Sequence, residues 1–191
     1  MLRQKRGEDR VVLLSGGAVP VLVEGPLDVL AVYLANTQGG LPLAAVAPCG
    51  TALTSAQVGS LAELTGDRVL VAFDPDRAGL RAAAESYDLL ARHFPQLRAA
   101  DLPDAFDPAK LLQSRGCLTL REALSRDCPL ADRVVDHGLR PWAPRLDDNA
   151  EARAAALVEL APRFSLLGET EQWSFALLAD LIGPFVDVLS D

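Results

Sequence analysis

A parallel α/β sheet with helices on both faces, followed by a helical segment, is the fold this sequence predicts. Three observations carry that expectation. Short β-branched runs alternate with helix-length stretches over the first hundred residues, those runs are continuously apolar, and after Asp107 only helical patterns remain.

Residues 1–18 begin polar and end in "SGGA" with "VVLL" between, which reads as a lead-in strand or linker. "VPVLVEGPLDVLAVYLAN" supplies a strand at 19–23, an acidic break at Glu24-Gly25, and a helix with Leu27, Leu30, Val32 and Leu34 mostly on one face. A second strand near 43–47 leads through a Gly50-Thr51 turn into a helix with Thr54 or Ser55 as N-cap. "RVLVAF", residues 68–73, is the third strand; Asp74-Pro75-Asp76 ends it, and a helix runs from about Ala78 to His93. "QLRAADLP" supplies a shorter fourth strand, so the sheet has about four.

Beyond it, "DPAKLLQSRG", "LTLREALSRD", "PLADRVVDHGL", "DDNAEARAAALVELAPRF" and "GETEQWSFALLADLIG" read as helices with acidic or hydroxyl starts and Gly or Pro stops. The expected division is a lead-in at 1–18, a sheet domain at 19–115 and a helical subdomain at 116–191.

The 191 residues are long enough to bury a sizeable core. No apolar run approaches the ~18 residues of a membrane span, and the basic start lacks the apolar stretch of a signal peptide, so a cytoplasmic protein with no membrane partner is expected. Cys49, Cys117 and Cys128 are odd in number and widely spaced, with only His93 and His137 to join them, so reduced thiols are expected rather than a disulfide framework or zinc site. The histidines fall near helix ends, where the dipole explains them. The net charge of -8 excludes a protein that grips polyanions with its whole surface. A nucleic-acid partner would need metal ions or a separate basic module.

Glu24 follows the first strand, and Asp74 and Asp76 follow the third, at the same edge of the sheet. If those strands are neighbours, three carboxylates converge within a few ångströms, and such mutual repulsion makes chemical sense around a cation. Oxygen ligands without usable His or Cys favour Mg²⁺ or Mn²⁺. Asp28, one helical turn past Glu24, would orient that turn or add a water-mediated ligand. The bland alternatives stand beside this reading: Asp76 as a helix N-cap, Glu24 as a solvated turn residue, Thr51 and Thr54 in turn and cap, Trp142 and Trp173 in packing.

"VLVEGPLD" with "VAFDPDRAG" resembles the Toprim domain of primases, topoisomerases and several nucleases. "FDPDRAG", "CGTALT" and "FDPAKLL" are most similar to the catalytic core of bacterial DnaG-type DNA primases, which continues into a helical subdomain. The resemblance implies a Toprim-like, Rossmann-like sheet and a metal-dependent nucleotidyltransferase that makes short primers on single-stranded DNA from nucleoside triphosphates. It implies Glu24 as general acid or base or as a metal-bound acid, Asp74 and Asp76 as ligands of Mg²⁺ or Mn²⁺, and Asp107 as a further acidic contributor. It also implies that Gly25 and Gly79 permit close backbone approach and that Gly25, Arg77, Gly50 and Thr51 meet nucleotide phosphate. Primases usually carry Asp-Pro-Asp-Asp where this chain has Asp107-Pro108-Ala109-Lys110, and neither a zinc-binding module nor a basic N-terminal subdomain is recognisable. The expectation is therefore a fragment or partner of a larger replication or mobile-element protein, working with a helicase or a separate DNA-binding module. The alternatives are a Toprim nuclease and a catalytically weak binding module.

Overall fold

The computed structural model describes residues 14–37, 42–48, 52–139, 143–146, 149, 151–156 and 158. Cys49, the Gly50-Thr51 turn, Trp142 and the last expected helix with Trp173 lie outside the described residues.

Strands β1 (Val19–Leu22), β2 (Leu43–Val46), β3 (Arg68–Val71), β4 (Gln96–Ala100) and β5 (Asp127–Pro129) form one sheet in the order β2-β1-β3-β4-β5. The first four are mutually parallel, as their apolar runs predict. Val21 pairs with Leu70 and Leu22 with Val71, so β1 and β3 are neighbours. Their ladder runs one step further through the Ala72 N–H, which donates to the Leu22 carbonyl at 2.8 Å.

The fifth strand exceeds the expected four and runs antiparallel to β4. It has three residues and no β-branched side chain, so no local pattern announces it; distant charges hold it. Asp127 accepts from Arg98 Nε at 2.9 Å and is ion-paired with Arg68, which joins it to β4 and to the start of β3.

Side chains alternate between the two faces of the sheet, as the pleat requires. Leu22, Ala44, Val69, Val71, Leu97 and Ala99 pack under helices α2 (Ser55–Leu64), α3 (Arg77–Ala91) and α5 (Leu130–Leu139), where Phe94 and Leu90 are fully buried. Val21, Leu43, Ala45, Leu70, Ala72 and Ala100 pack under α1 (Pro26–Thr37) and α4 (Pro108–Ser125). The expected boundary after residue 115 falls inside α4, which kinks at Gly116 (φ 80°) and carries Leu120, Ala123 and Leu124 into the same core as α1. A four-residue helix, α6 (Ala143–Leu146), follows α5, and residues 151–156 are helical.

The topology decides where a site can form. From β1 the chain crosses by α1, on one face, to β2; it then crosses by α2, on the other face, past β1 to β3. The winding direction reverses between β1 and β3, so the loops that leave their carboxyl ends diverge and open a crevice.

Candidate functional site

Glu24 and Asp74 leave the sheet at that reversal point, and the structure joins them directly. The Asp74 backbone N–H donates to Glu24 Oε1 at 2.9 Å. The bond is possible because β1 and β3 end in register, so two residues fifty positions apart meet.

Asp76 caps α3: its Oδ1 accepts from the N–H groups of Ala78 at 2.8 Å and Gly79 at 2.9 Å. The structure thus shows Asp76 as the N-cap that was the alternative expected for it. Gly79 is the tightest point of the turn. A Cβ placed there would lie 2.1 Å from the Asp74 carbonyl oxygen and 2.7 Å from Glu24 Oε1, closer than any side chain allows. Gly25 is different, for a Cβ there would make only an ordinary 3.5 Å contact with Asp28 Oδ2. Packing within the chain itself therefore demands a glycine at Gly79 and does not demand one at Gly25.

Asp28 sits in the first turn of α1 and is 8% exposed. Its Oδ2 accepts from the Gly25 N–H at 3.2 Å and its Oδ1 from the Ala109 N–H at 3.1 Å. Asp28 thereby braces the Glu24-Gly25 turn against the start of α4, and backbone amides engage both its oxygens. Sequence reasoning missed the Ala109 amide. It belongs to the peptide backbone, which no residue type reveals.

Asp107 caps α4, accepting from the Lys110 N–H at Oδ1 (2.6 Å), while its Oδ2 pairs with Lys110 Nζ at 2.9 Å. The Arg77 side chain, Gly50 and Thr51 lie outside what the structure describes, so their expected phosphate contacts cannot be located.

The electrostatics of the cluster are those of like charges held together. The Asp74 carboxyl is pushed from its ordinary 3.8 up to about 6, first by burial and then by the charges of Glu24, Asp107, Asp28 and Asp76. Burial also raises Asp28, although its bonds from Ala109 and Gly25 pull the other way.

The expected convergence of carboxylates is met only in part. Among the described residues, no three acidic side chains stand where they could hold one metal ion. The reason is visible in the bonds: Glu24 Oε1 holds the Asp74 amide, Asp76 Oδ1 holds two helix amides, and Asp107 faces Lys110. The donor set nevertheless suits a hard divalent cation, since every candidate ligand is an oxygen and Asp74 carries a repulsion that a cation would relieve.

A hollow of about 40 Å³ beside Asp74, lined in part by Phe73, Pro75, Gly79 and Arg133, has room for a water molecule or so. Any larger ligand would have to lie on the open rim. The larger groove of about 490 Å³, between Leu14, Leu22, Pro48, Leu53 and Leu64, has no carboxylate in its wall.

Known proteins resemble this chain over much of its length. Residues 21–112 match the Toprim-like family, a span that takes in Glu24, Asp28, Asp74, Asp76 and Asp107. The DNA primase of Deinococcus radiodurans is 30% identical over 176 residues, which cover 92% of this chain and 29% of that protein. The RNA polymerase domain of Mycobacterium tuberculosis primase DnaG superposes with a TM-score of 0.67 at 27% identity, over 89% of this chain and 52% of that one. A DnaG primase catalytic domain bound to ssDNA gives 0.67 at 26%, over 88% and 52%. The chain thus spans less than a third of this curated relative and about half of each of these solved domains. Among the described residues no helix is long and apolar enough to cross a membrane.

Proposed function

We propose, from the premise that this chain carries a Toprim-like domain close to the catalytic core of DnaG-type primases, that it is the acidic half of a metal-dependent nucleotidyltransferase that makes short primers on single-stranded DNA. One observation supports this most: at the reversal point of the sheet the Asp74 backbone N–H donates to the Glu24 carboxylate, which brings the two acidic turns together, and the crowded like charges push the Asp74 carboxyl upward. Crowded carboxylates with a raised pKa are characteristic of functional sites.

Mg²⁺ or Mn²⁺ would be held by Asp74 and Asp76, with Glu24 and Asp107 beside them. Such an ion would lower the pKa of a 3'-hydroxyl and neutralise the charge of a leaving pyrophosphate. The chain's own residues do the positioning. Glu24 fixes the Asp74 turn, Asp76 fixes the first turn of α3, and Gly79 lets that turn approach the sheet. Asp28 ties the Glu24 turn to α4. With its carboxyl raised to about 6, Asp74 holds a proton in mildly acidic solution and releases it near neutrality.

The substrates in this reading are nucleoside triphosphates and a single-stranded template. With a net charge of -8, template binding calls for a basic module or helicase partner outside these residues. Because Leu120, Leu130 and Val134 share the core of the sheet, the division from the helical subdomain falls after Leu139 in this reading.

Incorporation of labelled nucleotides on single-stranded DNA tests it, in the full-length protein with Mg²⁺ or Mn²⁺. Product that disappears in Asp74→Asn is the expected result. Metal-dependent nicking of plasmid with no incorporation would replace synthesis by cleavage, since the same carboxylates can serve an attacking water.

A further inference from the structure

Lys110 stands where an acidic residue is usual in primases, and the structure shows what it does there. It lies in the first turn of α4, where a cation is unfavourable for the helix dipole. With a net charge of -8 over the chain, an ammonium at this point stands against a predominantly acidic background. Its Nζ pairs with Asp107 Oδ2 at 2.9 Å, and its backbone N–H takes Asp107 Oδ1. One residue thus engages both oxygens of the third acidic element. Asp107 is its main partner, and the charges of Asp74 and Asp28 add to the hold on the ammonium.

Building on the metal reading above, we propose that Lys110 is a tethered counter-ion. It withdraws Asp107 from metal binding, so that the divalent ion is confined to the Glu24, Asp74 and Asp76 side of the cluster. Two effects act together. The ammonium repels a nearby divalent cation, and it keeps Asp107 in an ion pair that would have to break before Asp107 could serve as a ligand.

Mn²⁺ titration followed by electron paramagnetic resonance tests the proposal in the full-length protein, with neither nucleotide nor DNA present. Lys110→Met keeps the aliphatic stem and removes the charge; it should tighten Mn²⁺ binding at least about three-fold or admit a second equivalent. Lys110→Glu should do so more strongly, and Lys110→Arg should behave as wild type. Asp107→Asn should change little in the wild-type background but cancel the gain in Lys110→Met. That pattern separates withdrawal of Asp107 from a general change in charge, and circular dichroism confirms that each variant is folded. If wild type binds Mn²⁺ and Lys110→Met binds it equally or more weakly, the Lys110 role is wrong while the metal reading stands. If neither wild type nor any variant takes up Mn²⁺, both readings fall.

Discussion

Asp74 and Asp127 are both shielded aspartates at strand ends, and their surroundings are opposite. Asp127, with a side chain 10% exposed, meets Arg98 at 2.8 Å and also pairs with Arg68, while its carbonyl accepts a second bond from Arg98. Asp74 meets carboxylates: Glu24, Asp107, Asp28 and Asp76 all push its pKa upward. The first arrangement fastens a short strand to the sheet. The second gathers like charges whose mutual repulsion raises the Asp74 carboxyl, an environment suited to an external cation.

The largest effect that would break this contrast is on activity. Asp74→Asn should reduce primer synthesis about 1,000-fold, about 4 kcal/mol of transition-state stabilisation, while thermal unfolding near neutral pH stays unchanged or moves upward. A variant that loses activity only because it unfolds would contradict the assignment. Next comes Gly79→Ala, whose Cβ would overlap the Asp74 carbonyl. Denaturant unfolding should show a loss of about 3 kcal/mol, and the Glu24–Asp74 bond should loosen with it.

Asp127→Ala should cost about 2 kcal/mol by the same measurement, because it removes the carboxylate that both Arg68 and Arg98 pair with; their own exposure, and the bond Arg98 keeps to the backbone carbonyl, hold the cost below that of a fully buried pair. It should leave Mn²⁺ binding untouched, the converse of Asp74→Asn.

The smallest effect sharpens the comparison through pH. Asp74 has a folded pKa of about 6, above the 3.8 of an unperturbed carboxyl. The folded state therefore binds this proton more tightly, and the resulting stability is complete below about pH 4 and lost as pH rises through 6. After allowance for solvent screening the change should be roughly 1 kcal/mol. In metal-free unfolding experiments Asp74→Asn should flatten this slope and Asp127→Ala should keep it.

The sequence discloses these two regions unequally. Parallel strands were legible because "VPVLV" and "RVLVAF" are apolar on both faces, and the two acidic turns were legible because they end those runs. Whether the turns met depended on strand order, which the sequence left conditional and which the Val21–Leu70 register decides. Gly79 was open to expectation through its place in "DPDRAG", but only the packed turn distinguishes it from Gly25. The Asp127 clamp was invisible, since it joins positions 68, 98 and 127 through arginines that look like any others. So was the Ala109 amide, which reaches Asp28 across 81 positions. What escaped was in each case a long-range bond whose partners carry no local signal.

The bond between the Asp74 amide and Glu24 has a consequence for observation. That hydrogen can leave only when the turn at the end of β3 lifts away from β1, so its exchange with solvent deuterium times the opening of the site itself. A cation that draws the two turns together should slow this single amide more than those buried deeper in β3, where exchange follows the opening of the whole sheet. One resolved resonance would then give the lifetime of the assembled centre, without substrate and without turnover.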